Sequence, residues 1–443
     1  MTHIQMGRRL SRAALAGAAV IAAVGALAVP AQATAAPSRL WAWGSGPLGI
    51  GTTGTRTHAV PVHGLPAFPI KQVVSYGAAT RLVAALVDSE VWTWGGSGPL
   101  GNGGTTSSLV PVRVTSLSGI KQLAATTSNN PGLGPFTVYA LGSDGTVWAW
   151  GIGTSGALGN GTMNSSDVPV RVRRLTGVTS ITASGGTAYA LRSDGTVWAW
   201  GAGASGQLGN GNTANSDVPV HVSLSSKVRQ LSTACNTAYA LTTGQRIFAW
   251  GANNDGQLGD GTKTTSTTPV QVRRITGASR VVGQCLHAYA VVGGTVRAWG
   301  LGAQGENGDG HKATRLLPVT VTGLSNVVSV SAGFETGYAV LSDGTAWAWG
   351  YGLQGNLGNG QNANSSVPVQ ITAITSPVRS VTPAGNSLMA VGTDGSVWSW
   401  GYSGFGANGS GGTGANPGRV PGVPATRAVF PADPGPAWFA AVK

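Results

Sequence analysis

Two cysteines are the residues of this sequence whose chemistry is simplest to predict. Cys235 and Cys285 are 50 residues apart, and each precedes a tyrosine, Tyr239 or Tyr289, by four residues. The equal spacing indicates that both thiols occupy the same position in two neighbouring repeats. A disulfide would form if the two Cα atoms lie within about 7 Å, and export would favour it. The alternative is a pair of small buried residues. Zinc is not expected, because four ligands at the usual spacing are absent.

The carboxylates and histidines do not form a pattern typical of catalysis. Asp-Gly pairs recur between apolar runs at Asp144, Asp194, Asp343 and Asp394. Such pairs are typical of two-residue type I′ hairpin turns, in which both central residues have positive φ. The six histidines are scattered, and His287 is interpreted as a packing residue. Phosphate-binding loops and Ser/His/Asp arrangements do not emerge, so we expect neither an enzyme nor a cofactor.

Arginine pairs provide the clearest charged feature. Arg173 and Arg174 recur as Arg273 and Arg274 one hundred residues later, and the whole chain has a net charge of +13. These arginines are candidates for a basic patch that binds an acidic partner. Solvated charges that protect a sheet edge are the alternative. The chain has no run of Lys and Arg typical of nucleic-acid binding, so no nucleic acid is expected.

The N-terminus is typical of an export signal. Residues 1–33 contain Arg8, Arg9 and Arg12, an apolar segment over 13–29, and the small-x-small sequence Ala31-Gln32-Ala33. We expect this segment to be removed and the product to be secreted by the general route, although Arg8-Arg9 also admits twin-arginine export. Removal of the three arginines lowers the net charge from +13 to +10. No later segment approaches the roughly 20 apolar residues of a membrane span, so no membrane partner is expected.

Residues 34–443 form one domain built from a tandem repeat. Trp-x-Trp-Gly or a near variant begins at positions 41, 92, 148, 198, 248, 297, 347 and 398, with spacings of 51, 56, 50, 50, 49, 50 and 51. Each repeat also has a Pro-Val-x-Val run, a β-branched run and a Tyr-Ala-Leu run. Four short strands per repeat and no helix between them predict an all-β fold.

The alternation inside each repeat predicts how the repeats pack. Trp148 and Trp150 share one face of a strand, whereas Ala149 points to the other. The aromatic face of one sheet can therefore pack on the small-residue face of the next, and such an array must close. The first Trp motif lacks a preceding strand, and the final Trp438–Val442 segment lacks a Trp motif after it. We predict a closed β-propeller of eight four-stranded blades in which the two terminal strands pair, with seven blades as the alternative.

One repeat carries a specific resemblance. Trp250-Gly251 is followed by Gly256-Gln257-Leu258-Gly259-Asp260-Gly261, then by Pro269-Val270 and Tyr289-Ala290. This pattern resembles the regulator-of-chromosome-condensation repeat, and the match extends over nearly the whole mature chain. The family includes a nuclear exchange factor for a small GTPase, a plant ultraviolet-B photoreceptor and a secreted actinobacterial β-lactamase inhibitor. The export signal disfavours exchange-factor activity, and the photoreceptor's Gly-Trp-Arg-His-Thr motifs are absent.

The secreted inhibitor is the most similar family member in context. In that inhibitor, aromatic residues in the loop before the Tyr-Ala-Leu strand contact the enzyme. The matching positions here are Gly185-Gly186, Cys235-Asn236, Cys285-Leu286, Phe334-Glu335 and Gly385-Asn386. Only Phe334 is aromatic, so the resemblance carries the inhibitor's contacts to this chain at one position alone.

The 56-residue spacing marks an insertion from 127 to 136 in the equivalent loop, and it contains Leu133 and Phe136. The candidate binding residues are therefore Leu133, Phe136, Leu286, Phe334, Glu335, Arg173, Arg174, Arg273 and Arg274. We predict a secreted, monomeric, non-catalytic propeller that binds an extracellular protein, with an inhibitor of a secreted enzyme as the specific form. A module for cell-wall polymer or glycan is the alternative, and a lyase or hydrolase with a site at the axial mouth is the least favoured.

Overall fold

A computed structural model of the chain describes residues 40–76, 82–96, 98–126, 136–409, 414–432 and 437–442. These residues form 32 strands and two short 3-10 turns, Thr154–Gly156 and Gly404–Gly406. The strands are β1 (Leu40–Gly44), β2 (Arg56–Pro61), β3 (Ile70–Tyr76), β4 (Leu82–Val87), β5 (Glu90–Gly95), β6 (Ser108–Arg113), β7 (Ile120–Ala125), β8 (Thr137–Gly142), β9 (Val147–Gly151), β10 (Ser166–Arg171), β11 (Val178–Ser184), β12 (Thr187–Arg192), β13 (Val197–Gly201), β14 (Ser216–His221), β15 (Val228–Ala234), β16 (Thr237–Thr242), β17 (Ile247–Gly251), β18 (Ser266–Gln271), β19 (Ala278–Gly283), β20 (His287–Val292), β21 (Thr295–Gly300), β22 (Arg315–Thr320), β23 (Val327–Ala332), β24 (Thr336–Leu341), β25 (Ala346–Gly350), β26 (Ser365–Gln370), β27 (Val378–Ala384), β28 (Ser387–Gly392), β29 (Val397–Gly401), β30 (Gly414–Arg419), β31 (Thr426–Ala432) and β32 (Ala437–Val442).

The strands pair into eight four-stranded antiparallel sheets, which we call blades 1 to 8. Blade 1 is β3 to β6, and each following set of four strands makes the next blade up to blade 7, β27 to β30. Within a blade the β-branched run is the first strand, Tyr-Ala-Leu the second, Trp-x-Trp-Gly the third and Pro-Val-x-Val the fourth. The eight-blade prediction is confirmed, and the seven-blade alternative is wrong.

Blade 8 closes the ring with strands from both ends of the chain. Its strand order is β2-β1-β32-β31, and Leu40 pairs with Ala441 while Trp43 pairs with Trp438. The indole Nε1 of Trp43 also donates to the Ala407 carbonyl of blade 7 at 3.1 Å. The predicted pairing of the terminal strands is confirmed, and it leaves neither strand as an exposed edge.

The first strand of every blade contacts the first strands of both neighbouring blades, and β31 of blade 8 contacts β3 of blade 1. These eight strands therefore form the inner ring around the propeller axis. The fourth strands, which begin with a serine, an arginine or a glycine, form the outer edge of each blade.

Aromatic packing joins each blade to the one before it. Trp200 of blade 3 packs in one core cluster with Ala149 and Tyr139 of blade 2, and the Tyr139 and Trp200 rings meet edge to face at 5.8 Å between centroids. The Ala157 carbonyl accepts from both the Tyr139 hydroxyl (2.8 Å) and the Trp200 Nε1 (3.0 Å). In blades 2 to 6 the reverse face therefore carries a second-strand tyrosine, whose hydroxyl donates to a backbone carbonyl of the same blade, as well as small residues.

The second and third strands are joined by hairpins, as the Asp-Gly pairs predict, but the predicted turn type is wrong. At Asp144-Gly145 only the glycine has positive φ (81°), and the Gly142 N–H donates to the Thr146 carbonyl at 2.8 Å. The loop therefore has three residues, and the Asp144 carboxylate accepts from the Thr146 N–H and hydroxyl at 3.0 and 2.7 Å. That local pairing favours right-handed geometry at Asp144. Both turn residues have positive φ in the Gly293-Gly294 hairpin, at 56° and 74°.

No helix among the described residues has the length and apolarity that crossing a membrane requires.

Candidate functional site

The antiparallel order gives the propeller two different faces. One face, which we call the hairpin face, contains the hairpins between second and third strands. The first strands begin at this face and the fourth strands end there. The links from first to second strand and from third to fourth strand lie at the other, the loop face. The candidate binding residues divide between them, since the four arginines follow fourth strands, whereas Phe136, Leu286, Phe334 and Glu335 lie in first-to-second links.

The loop face carries a set of exposed apolar side chains on blades 6 and 7. Phe334 is 51% exposed, Leu353 of the same blade is 56% exposed, and Tyr402 of blade 7 is 45% exposed. The adjoining backbone is fixed, because the Glu335 carbonyl accepts from the Tyr351 N–H at 2.9 Å. Sequence reasoning identified Phe334 and missed Leu353 and Tyr402. Leu353 stands where several other repeats have threonine, alanine or asparagine, and Tyr402 stands where they have alanine, isoleucine, leucine or another tyrosine.

The two cysteines tie neighbouring links of the loop face together. Cys235 of blade 4 and Cys285 of blade 5 form a disulfide, with Cα atoms 5.1 Å apart. Cys235 has a positive φ of 51°, and the Cys285 carbonyl accepts from the Gln257 side-chain amide at 3.4 Å. The bridge therefore restrains the links beside Leu286. The Leu286 side chain is partly exposed, and its carbonyl accepts from the Leu301 N–H at 2.8 Å.

Buried titratable groups lie beneath this part of the loop face. His287 is fully buried, and its ring packs against Tyr289 at 5.2 Å between ring centroids. Burial lowers the pKa of His287 to about 4, so the ring is neutral. Burial also raises the pKa of Glu306, and the nearby Glu335 charge adds to that rise. The packing interpretation of His287 agrees with this environment.

The insertion that follows β7 is only partly described. Leu133 lies outside the described residues, and Phe136 is the first described residue after that gap. Phe136 is partly exposed, and it lines a small pocket together with Leu82, Pro99, Val138 and Trp150. Its carbonyl accepts from the Ile152 N–H at 2.7 Å, which continues the ladder of blade 2.

Charge is divided unequally between the faces. The hairpin half of the described residues carries seventeen basic residues, namely Lys71, Arg113, Lys121, Arg171, Arg173, Arg174, Arg192, Lys227, Arg229, Arg246, Arg273, Arg274, Arg280, Arg297, Arg379, Arg419 and Arg427. Its acidic residues are Asp88, Glu90, Asp144, Asp194, Asp343 and Asp394. The loop half has four basic residues (Arg56, Lys263, Lys312 and Arg315) against seven acids (Asp167, Asp217, Asp255, Asp260, Glu306, Asp309 and Glu335). The hairpin half of the ring therefore carries an excess of positive charge, and the loop half carries a small excess of negative charge.

The predicted arginine patch belongs to the positive face. Arg173, Arg174, Arg273 and Arg274 are all exposed, and Arg174 and Arg274 have the same positive φ of 58° because both occupy the same turn after a fourth strand. The blade that separates the two pairs carries Ser223 and Leu224 at the corresponding positions. The two pairs therefore lie on the periphery of the hairpin face, with one blade between them.

A repeated glutamine contact between first strands was missed by the sequence interpretation. The Gln122 side-chain amide donates to the Ile181 carbonyl at 2.8 Å and accepts from the Ile181 N–H at 3.0 Å. Gln72 makes the same pair with Leu123, and Gln230 makes it with Val281. The recurrence of Lys-Gln or Arg-Gln at the start of the β-branched run was the available signal.

Within the described part of the chain, no three His, Cys, Asp or Glu side chains are grouped so that they could hold a metal ion.

Comparison with known proteins agrees with this architecture. The family model of the RCC1-like domain matches residues 132–432. The ultraviolet-B receptor UVR8 of Arabidopsis thaliana is 34% identical over 137 residues, which cover 30% of this chain and 29% of the receptor. The mouse E3 ubiquitin-protein ligase HERC2 is 28% identical over 158 residues, or 35% of this chain and 3% of the ligase. The chain thus spans less than a third of the length of these curated relatives.

Among solved structures, Prp20p of Saccharomyces cerevisiae has the same fold. Its TM-score is 0.62 at 19% identity, and the alignment covers 93% of this chain and 92% of Prp20p. That protein is described with its binding to Gsp1p and histones.

Proposed function

The chain belongs to the RCC1-like domain family, whose propeller fold is a scaffold for protein interaction, and we propose that this member is a secreted, non-catalytic protein that binds an extracellular protein through its loop face. The partner class that the resemblance favours is a secreted enzyme, with β-lactamase as the first to test. Exchange-factor activity has no support beyond the resemblance, and the export signal predicted for residues 1–33 argues against it.

The observation that carries the proposal is the exposed apolar set of Phe334, Leu353 and Tyr402. These large apolar side chains are exposed on the same face of two neighbouring blades, and exposed apolar surface of this kind is typical of interaction sites. Aromatic anchors supply much of the energy of protein interfaces. The backbone beneath these side chains is held by strand pairing on both sides, so little order has to be gained on binding. The binding of Gsp1p and histones described for Prp20p supports protein recognition as the general activity.

The test begins with purified mature protein that captures partners from the culture fluid of the producing cells, followed by affinity measurement with the identified partner. Phe334→Ala and Leu353→Ala should each weaken binding by about 30-fold, since a central anchor contributes about 2 kcal/mol. Val328→Ala is the matched control, because Val328 is 59% exposed in the same blade but lies at the hairpin face. It should change the affinity less than about twofold.

Equal effects of the three substitutions, or none from either loop-face change, would contradict binding through the loop face. Loss of β-lactamase activity on titration with the protein, relieved by Phe334→Ala, would identify the inhibitor form. The secretion part is tested separately by N-terminal sequencing of the protein in culture fluid, which should begin at Thr34.

A further inference from the structure

The end of the inner ring at the hairpin face carries a set of basic residues. Lys121, Arg229, Arg379 and Arg427 are the second residues of their first strands, and Arg280 is the third residue of β19. Because the first strands encircle the axis, these five residues lie around one mouth of the ring, which we call the axial basic mouth. Lys71 occupies the same position in β3 but pairs with Asp88 at 3.1 Å.

The five cations have no acidic partners among the described residues. The ion pairs there join other groups, namely Lys71–Asp88, Arg113–Glu90, Arg192–Asp194, His311–Asp309 and Arg315–Asp309. The Nε atoms of Arg229, Arg280 and Arg379 are buried and make no hydrogen bond. Burial, followed by the charge of Arg427, lowers the pKa of the Arg379 guanidinium, so the two cations repel each other at close range.

Contacts between blades use only part of the hydrogen-bonding capacity of these side chains; Lys121, for example, donates to the Val178 carbonyl at 3.4 Å. Arg229 donates to the Ala278 and Ser279 carbonyls at 2.9 and 3.2 Å, and Arg379 donates to the Thr426 and Arg427 carbonyls. Each uses only one Nη atom for this contact. The neutral amides of Gln72, Gln122 and Gln230 already join adjacent first strands by two hydrogen bonds each. Arg280 makes no side-chain hydrogen bond or ion pair with the residues that the structure describes.

We propose that the axial basic mouth is a binding site for a multivalent phosphate anion, held by Arg229, Arg280, Arg379, Arg427 and Lys121. Guanidinium groups form strong, directional hydrogen bonds with phosphate oxygens. A tetrahedral phosphate presents oxygens in several directions and so accepts from arginines of different blades, whereas a carboxylate presents two oxygens in one plane. The surrounding excess of positive charge attracts a chain of closely spaced phosphates. A free polyphosphate and a phosphodiester polymer of the cell wall share this chemistry.

Inorganic tripolyphosphate is the first probe, titrated into the mature protein by calorimetry between 50 and 300 mM NaCl. The mouth variant is Arg280→Gln with Arg427→Gln, because neither guanidinium donates a hydrogen bond among the described contacts. The matched control is Arg173→Gln with Arg273→Gln, which removes the same charge from the same face away from the axis. We expect at least about tenfold weaker binding for the mouth variant and less than about threefold for the control, since hydrogen bonds to charged groups are the strong ones.

Absence of binding to the wild-type protein at 50 mM NaCl, or equal weakening by both variants, would overturn the proposal. Thermal unfolding of each variant checks the fold. If the glutamine pair lowers stability, the second variant is Arg280→Lys with Arg427→Lys, which keeps the charge and should retain binding within about fivefold. Loss of binding both in a folded lysine variant and in the control would also overturn the proposal.

Further probes separate the sources of phosphate. Tighter binding of oligomeric poly(glycerol phosphate) than of tripolyphosphate identifies a polymer chain as the ligand, and the reverse identifies a free anion. Tighter binding of poly(glutamate) of equal charge would overturn the phosphate assignment in favour of an acidic peptide. Duplex DNA that is bound equally by the mouth variant and the wild type would identify diffuse attraction by the whole face and would overturn the site. The loop-face variants Phe334→Ala and Leu353→Ala should bind tripolyphosphate normally, so this inference stands or fails independently of the proposed protein partner.

Discussion

Replacement of Glu306 by glutamine should stabilise the propeller at neutral pH. Glu306 is fully buried, and its Oε2 accepts from the Gln304 N–H at 2.8 Å, whereas its Oε1 has no hydrogen-bond partner among the residues that the structure describes. The equivalent residue of blade 4 is Gln257, because the backbone carbonyls of both accept from a second-strand tyrosine at 2.8 Å. Gln257 accepts from Asp255 N–H at 2.9 Å and uses its amide to donate to the next blade's link. An ionised glutamate cannot make that donation.

The direction of the pH effect follows from the raised pKa of Glu306. Burial raises this pKa, and the Glu335 charge acts in the same direction. Because the folded pKa lies above the unfolded value of about 4.3, the protonated carboxyl contributes stability that is fully present below the unfolded pKa. That contribution is lost as the pH rises through the folded pKa. The amide of glutamine provides a hydrogen-bond donor at every pH, whereas the carboxyl of Glu306 provides one only when it is protonated.

A buried polar atom without a partner costs about 1–3 kcal/mol. Glu306→Gln should therefore raise the free energy of unfolding by about this amount at pH 7.5 and by close to zero at pH 4. Urea unfolding of the wild-type and variant proteins from pH 4 to 7.5 measures the difference between their free energies of unfolding. Groups that titrate equally in both proteins do not contribute to this difference. The matched control is the reverse change in blade 4, Gln257→Glu, which should lower stability at pH 7.5 and have less effect at pH 4. A destabilised Glu306→Gln protein at pH 7.5, or a gain that does not vary with pH, would refute the reasoning.

Three further predictions concern other groups. Replacement of both Cys235 and Cys285 by serine should lower the free energy of unfolding by about 2–4 kcal/mol, because the bridge closes a long loop; unfolding of the wild-type protein with a reductant should show the same loss, and an unchanged midpoint would argue against the bridge. His287 has a folded pKa of about 4, below its unfolded value of about 6.5, so its contribution to stability is present above pH 6.5 and declines as the pH falls towards 4. His287→Phe should therefore flatten the stability profile between pH 4 and 6.5 in urea titrations, and an unaltered slope would be inconsistent with the buried neutral ring. Arg8→Lys with Arg9→Lys should leave the amount of exported protein unchanged in immunoblots of the culture fluid, whereas abolished export would identify the twin-arginine route.

The architecture could be predicted well because each repeat contains a recognisable motif for each of its four strands. Trp-x-Trp-Gly at a spacing near 50 defines a blade, and the incomplete first and last repeats, around Trp41 and Trp438, define the closing sheet. The turn type at Asp144-Gly145 was predicted wrongly, since the Asp144 carboxylate bonds to Thr146 and turns the connection into a three-residue loop. Dipeptide identity alone does not contain that competition between side chain and backbone.

The candidate site was predicted less completely than the fold. Phe334 was identified because the resemblance pointed to its loop, whereas Leu353 and Tyr402 lie in the other set of links. The sequence does not separate the arginines near Arg173 from the loop residues, but the alternating strand direction places the two groups at opposite faces. Contacts such as that of Gln122 with Ile181 depend on the offset between neighbouring blades, which repeat spacing does not specify.

The closed ring is tested most directly by a cross-link between the two ends of the chain. Leu40 of β1 pairs with Ala441 of β32, so cysteines introduced at both positions should form an intramolecular disulfide in the folded protein under mild oxidation. A control pair at Leu40 and Ala440 places the second cysteine on the other face of the strand and should remain reduced. A monomeric cross-link confined to the 40–441 pair is the predicted result. Equal reaction of both pairs, or cross-links only between molecules, would contradict a ring closed by its own termini.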